Sequence, residues 1–204
     1  MVPFRLYLVT DRTRTGGRPL PDVVEAAVCG GVDAVQLREK DLPGGALFEL
    51  ARELRSRCTR HGARLLINDR IDVALAVGAD GVHLPVASFS PADARALLGP
   101  DRLVGVSTHS IEQVQRASAG GADFVVFGPV FDTPSKRAFG PPLGLAALAQ
   151  AAGAASVPVF AIGGVTAARA AAVRQHGAHG LAVIAAVLEA ADPAAAARAL
   201  RGAL

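Results

Sequence analysis

Residues 31–41 read GVDAVQLREKD. The glycine stands where a helix should end, a short apolar run follows, and four consecutive charges close the stretch with no turn residue between. The opening recurs as GADGV at 78–82, GADFV at 121–125 and GAHGL at 177–181. Each copy puts a helix-ending Gly a few residues before the next apolar run.

Working outward, eight such runs are present: LYLVT (6–10), AVQL (34–37), RLLIN (64–68), GVHL (81–84), RLVGV (102–106), FVVFG (124–128), VPVFAI (157–162) and GLAVI (180–184). Between them lie amphipathic, Ala- and Arg-rich segments such as GALFELARELRSRCTRHG and SIEQVQRASAGG. Short, continuously apolar runs are the mark of strands covered on both faces. Eight strand–helix alternations predict a parallel α/β architecture, most simply one (β/α)8 barrel domain over residues 1–204. A doubly wound open sheet is the alternative. The glycine pattern marks the second, fourth, sixth and eighth runs, which fits the alternate-strand layers of a closed barrel.

Composition narrows the function. With 51% hydrophobic residues the chain can bury a large core. No apolar run is long enough to span a membrane, and the N-terminus, with Arg5 inside its first apolar segment, lacks a signal-peptide pattern. Cys29 and Cys58 lack metal spacing and are expected as reduced thiols, so a cytoplasmic location is expected. The net charge is +3, but the cations are scattered and only 4% of residues are aromatic, which argues against nucleic acid. Nothing in the Ala-rich helices decides between a monomer and a homo-oligomer. Of the 21 basic residues only Lys40 and Lys136 are lysines. A compact ammonium contacts a phosphate as a point charge, where a guanidinium offers a fork.

In such barrels the active site lies at the C-terminal ends of the strands. The polar residues there are Asp11, then Gln36, Arg38 and Lys40, then Asn68 and Asp69, Ser88, and Ser107 with Thr108 and His109. Thr133, Ser135 and Lys136 follow the sixth run, Gly163 and Gly164 the seventh, and Ala185 and Ala186 the eighth. Cations, hydroxyls and backbone donors in this proportion are the chemistry of phosphate recognition. Arg38, Lys40 and Lys136 exceed the needs of one monophosphate and ask for a second anion. Asp69 either holds Mg²⁺ with phosphate oxygens and water or caps the helix that follows. Asp72 reads as a first-turn helix residue. Period-two spacing puts Gln36, Arg38 and Lys40 on one face, with Glu39 and Asp41 as their support.

YLVTD, VQLREK, LINDRIDVA, GVHL, GVSTHS, GPVFDTPSK and AIGGV together carry a resemblance, over essentially the whole chain, to the thiamine-phosphate synthase/TenI superfamily. The resemblance implies a barrel that joins hydroxymethylpyrimidine diphosphate to a thiazole phosphate and releases pyrophosphate. It implies that the run Gln36, Leu37, Arg38, Glu39, Lys40 borders the pyrimidine diphosphate, gripped also by Asn68, Ser107 and Lys136. Asp69 would bind Mg²⁺, and Thr133, Pro134, Ser135, Gly163, Gly164, Ile184 and Ala185 would hold the thiazole phosphate. In the synthases a second carboxylate ligand follows GVHL; here the chain reads PVASFSP, with Ser88 at that place. The HLPxxSFSP form is similar to the TenI branch, whose thiazole tautomerases would use His109 as acid and base. A non-catalytic barrel that binds thiamine-related phosphates is a third reading. The tautomerase has no evident use for Gln36, Arg38, Lys40, Asn68 and Asp69 together, so the synthase reading is preferred.

Overall fold

The computed structural model describes residues 2–133 and 140–204. Eight parallel strands close a barrel in sequence order: β1 Leu6–Val9, β2 Ala34–Leu37, β3 Arg64–Asn68, β4 Gly81–Leu84, β5 Leu103–Thr108, β6 Phe124–Phe127, β7 Val159–Ala161 and β8 Gly180–Val183. The expectation of a (β/α)8 barrel is borne out. Between the strands run α1 Leu20–Cys29, α2 Gly44–Arg60, α3 Ile71–Ala76, α4 Pro91–Leu98, α5 Ile111–Ala119, α6 Gly144–Ala154 and α7 Ala167–Gln175; α8 Ala185–Leu188 and α9 Pro193–Gly202 follow β8. No helix among the described residues is long and apolar enough to cross a membrane.

Strand alternation divides the core in two. Leu6, Leu8, Val35, Leu37, Leu65, Ile67, Val82 and Leu84 pack outward against the helices. Tyr7, Ala34, Leu66, Phe124, Val126, Phe160 and Ala182 fill the barrel. The rings of Phe4, Tyr7, Phe124 and Phe160 sit 5.0–6.2 Å apart where they pair, mostly edge-on or tilted. Gly105 makes room for them, since a Cβ there would lie 2.3 Å from Cζ of Phe124.

The recurring glycine motif has a physical basis. Gly31, Gly78, Gly121 and Gly177 all have positive φ, the left-handed turn that ends the preceding helix cheaply only for glycine. Two residues on, three copies carry an Asp. Asp33 accepts from the backbone N–H groups of Arg5 and Leu6, Asp80 from Leu65, and Asp123 from Val104. Each carboxylate also meets an arginine: Arg201, Arg55 and Arg95 respectively. These three copies therefore staple β2, β4 and β6 to the start of the odd strand before each, at the end of the barrel opposite the mouth.

Two boundaries differ from expectation. β7 begins only after Pro158, which lacks a ladder donor. β5 continues to Thr108, so Ser107 lies within a rigid strand rather than after it.

Candidate active site

Above the aromatic layer the interior turns polar. Gln36, Asn68, His83 and Ser107 occupy the last inward positions of β2 to β5, where the ladder pairs Asn68 with His83 and Ser107 with Val126. Gln36 and His83 are buried. Nε2 of Gln36 donates to the Tyr7 hydroxyl at 3.1 Å. That hydroxyl lies 3.4 Å from Nδ1 of His83, whose Nε2 lies 2.9 Å from Oγ of Ser107. Burial, with a smaller contribution from the nearby Arg38 charge, pushes the His83 imidazole down to about 3. Burial likewise pushes the Tyr7 phenol up, partly offset by the Gln36 bond. Both side chains are neutral at neutral pH, so the floor of the site is polar and uncharged.

The charged run rises beside this floor. β2 ends at Leu37, whose side chain packs outward among the helices, so Leu37 borders the site through its backbone alone. Strand alternation therefore does not extend to Arg38 and Lys40, as the period-two reading required. Glu39 takes over as the organiser. It is 5% exposed and accepts from the Thr10 hydroxyl at 2.7 Å, and from the Arg12 N–H and guanidinium at 3.1 Å each. Thr10 Oγ1 in turn accepts the Arg38 N–H at 2.9 Å. Asp41 holds the other edge of the Arg12 guanidinium at 2.5 and 2.6 Å, and that bond keeps its carboxyl down at about 2. Both acidic residues of the run are thus engaged by Arg12. Arg38 is half-buried, Lys40 is exposed, and neither forms an ion pair among the described residues. Asp11 instead caps the 3-10 turn Arg12–Arg14.

On the opposite rim Gly163 and Gly164 end β7 with φ of 97° and 64°. A Cβ on Gly163 would lie 2.5 Å from Cβ of Pro129, so the β6 and β7 loops approach to backbone contact. Phe131 N–H donates to the Gly163 carbonyl at 3.0 Å, and Arg169 donates to the Gly164 carbonyl at 2.7 Å while stacking over Phe131. Oγ1 of Thr133 is buried without a hydrogen-bond partner among the described residues. Ile184 and Ala185 are half-buried where α8 begins, and Ala186 follows in its first turn. Exposed His109 has Nδ1 2.5 Å from the Gly128 carbonyl, which ties the end of β5 to that of β6. Thr108 is buried and bonds to the Val126 carbonyl. Pro134, Ser135 and Lys136 lie outside the described residues.

Asp69 sits at φ 65°, left-handed backbone that Asp tolerates better than most residues. Its N–H donates to the His83 carbonyl at 3.0 Å. Ser88 Oγ donates to its Oδ1. It does not cap α3: the residue before that helix is Arg70, and no side chain caps it. Asp72 lies in the first turn of α3 and pairs with Arg70. No cluster of three or more His, Cys, Asp or Glu occurs among the described residues. The Asp69 carboxylate is an oxygen donor of the kind a hard cation takes together with phosphate and water.

The strand ends thus gather Gln36, Arg38, Asn68, Asp69, Ser88 and Ser107 on one side of the mouth and Thr133, Gly163, Gly164, Ile184 and Ala185 on the other. Sequence reasoning missed Tyr7, His83, Thr10 and Arg12. Tyr7, the single tyrosine, and His83 sit at inward strand positions, and that alternation was the available signal.

Comparison with known proteins agrees with this geometry. The family model for thiamine monophosphate synthase matches residues 6–187. A thiamine-phosphate synthase of Roseiflexus castenholzii is 48% identical, over 96% of this chain and 86% of its own length. That of Methanoculleus marisnigri is 47% identical over 97% and 94%. Among solved structures, a thiamine phosphate pyrophosphorylase from Pyrococcus furiosus superposes with a TM-score of 0.89 at 34% identity, covering 98% of this chain and 95% of its own.

Proposed function

The chain belongs to the thiamine monophosphate synthase family, and from that premise we propose that it is a transferase of thiamine biosynthesis. It condenses hydroxymethylpyrimidine diphosphate with a thiazole phosphate to give thiamine monophosphate and pyrophosphate. The observation that carries this reading is the pair Arg38 and Lys40. Among the described residues they form no ion pair and stand beside an uncharged floor, while both acidic neighbours in their run are occupied by Arg12.

The reaction needs a leaving group to depart. As the bond from the pyrimidine methylene to oxygen breaks, negative charge grows on pyrophosphate. Arg38 and Lys40, with donors from Asn68 and Ser107, lower the energy of that charge more than that of the bound substrate. The thiazole nitrogen then attacks the methylene carbon. Its phosphate is received by the opposite rim, where Gly163 and Gly164 let backbone come close and the Thr133 hydroxyl has no partner among the described residues. No protein nucleophile takes part; the barrel supplies orientation and electrostatics.

Mg²⁺ belongs to the same proposal. Asp69 would be its protein carboxylate and Ser88 a neutral neighbour, and the ion would neutralise charge on the diphosphate. A cytoplasmic location is also proposed, in keeping with soluble phosphorylated substrates and two free thiols.

Purified protein with both substrates and Mg²⁺ should release pyrophosphate in step with thiamine monophosphate. No release at saturating substrate would refute the reading. Metal-independent interconversion of thiazole carboxylate tautomers, lost in His109→Ala, would replace it with the isomerase.

A further inference from the structure

We propose that Tyr7 and His83 are positioning residues that set the direction of the hydrogen bonds crossing the barrel floor. They make Ser107 meet its ligand as a donor and keep the carbonyl oxygen of Gln36 free to accept. The inference rests on the diphosphate reading above and adds a direction to it.

Proton counting carries the argument. Four strands contribute one side chain each to a continuous chain: Gln36 to Tyr7 at 3.1 Å, Tyr7 to His83 at 3.4 Å and His83 to Ser107 at 2.9 Å. The amide nitrogen of Gln36 donates to the phenol oxygen, so the phenol proton must turn elsewhere. The acceptor within reach is Nδ1 of His83. A neutral imidazole that accepts at Nδ1 carries its proton on Nε2. That proton points at Oγ of Ser107, which accepts it and has its own proton left for the mouth. At the far end one of the two amide hydrogens of Gln36 is committed to the phenol, and its carbonyl oxygen stays free to accept from a ligand.

The same atoms permit one other arrangement. With the Gln36 amide turned over, Tyr7 would donate to Gln36 and His83 would carry its proton on Nδ1. Ser107 would then donate to Nε2 and offer a ligand only lone pairs. The charged oxygens of a phosphate accept and do not donate, so the second arrangement sets lone pair against anion. Tyr7, Gln36 and His83 are at most 3% exposed, so water cannot repair a broken link. The four groups therefore reverse together or not at all. An anionic oxygen bound at Ser107 therefore keeps the Gln36 carbonyl free to accept from a donor on the uncharged half of the substrate.

The test uses the full chain labelled with ¹⁵N-histidine. Two-bond proton–nitrogen correlation spectra identify the His83 tautomer in the free protein and with inorganic pyrophosphate added. His83 should be neutral with its proton on Nε2 in both samples. Tyr7→Phe removes the phenol proton and should populate the second tautomer. It should also weaken pyrophosphate binding by about fivefold in calorimetry, the loss of one neutral hydrogen bond's influence. A proton on Nδ1 in the pyrophosphate complex overturns the inference. So does a Tyr7→Phe protein whose tautomer and pyrophosphate affinity both match the parent. If Tyr7→Phe does not fold, the tautomer of the unaltered protein decides alone. Failure of the diphosphate reading shows itself separately: pyrophosphate then does not bind at all, while the free-protein spectrum still reports the direction of the chain.

Discussion

Glu39→Gln is the sharpest test of how the charged run is held. The carboxylate is 5% exposed and receives the hydroxyl of Thr10, itself wholly buried, and the backbone N–H of Arg12. Hydrogen bonds to a charged group contribute roughly 1.5–3 kcal/mol each. Gln keeps one oxygen, so one bond survives in neutral form, and its NH₂ confronts the other donor. The Arg12 guanidinium is too exposed to add to the figure. The expected loss is about 3 kcal/mol, which in a chain of this size lowers the melting temperature by roughly 6–12 °C. Arg38 should move as well, because its N–H is bonded to Thr10 Oγ1, which in turn donates to Glu39. The KM for the pyrimidine diphosphate should therefore rise while that for the thiazole phosphate stays put. Scanning calorimetry and initial rates at varied concentrations of each substrate measure both effects. Thr10→Val should reproduce them, and the double variant should lose less than the sum because the two residues share one bond. A Glu39→Gln protein that melts within about 1 °C of the parent with unchanged KM refutes the view of Glu39 as the organiser of this loop.

Three further outcomes follow from other parts of the site. Lys40→Ala should leave stability within about 0.5 kcal/mol, since the side chain is exposed and unpaired among the described residues, yet cut turnover by roughly tenfold or more through loss of a charged bond to the diphosphate; a melt and a pyrophosphate-release assay separate the two. Gly163→Ala should destabilise by roughly 1–3 kcal/mol or more, because φ is 97° and the new Cβ would meet Pro129 at 2.5 Å; a protein with parental melting and parental KM for the thiazole phosphate contradicts the tight approach of those loops. His83 governs acid stability: its value falls from 6.5 in the unfolded chain to about 3 when folded, so the unfolded state binds the extra proton and stability drops as pH falls through that window. Urea unfolding between roughly pH 6 and pH 4 should show a component near 1.4 kcal/mol per pH unit that His83→Gln removes, and an unchanged slope in that variant would exclude this origin.

The barrel was legible in the sequence because its signals are local. A helix-ending glycine and a run of buried side chains need only neighbours in the chain to be recognised, and the Gly31, Gly78, Gly121 and Gly177 repeat even gave the alternation of strands. The rim of the site was legible for a related reason: charged and glycine residues next to the end of an apolar run reach the mouth in any closed barrel. Its floor was not. Tyr7 and His83 look like ordinary strand residues, and their chemistry exists only once β1, β2, β4 and β5 meet, with partners 24 to 76 positions apart. Arg12 and Thr10 escaped for the same reason, lying 27 and 29 positions from Glu39.

That difference in range also explains why GVDAVQLREKD is built as it is. A strand can aim side chains by its pleat only while its ladder lasts, and β2 stops at Leu37. Beyond that point the two cations need another device to stay apart from the acids beside them. Arg12, arriving from the β1 loop, takes both Glu39 and Asp41, so the acids neutralise a third cation rather than the two required for the diphosphate. Four consecutive charges at a strand end are thus a sorted set: two carboxylates turned onto Arg12, and Arg38 and Lys40 left open to an anion. Arg12→Ala would undo the sorting, free Glu39 and Asp41 to compete for Arg38 and Lys40, and weaken pyrophosphate binding. Calorimetric titration of that variant with inorganic pyrophosphate should show the weakening grow as salt is lowered, because screening limits the reach of the released carboxylates. A salt-independent loss would instead mark Arg12 as a simple structural prop.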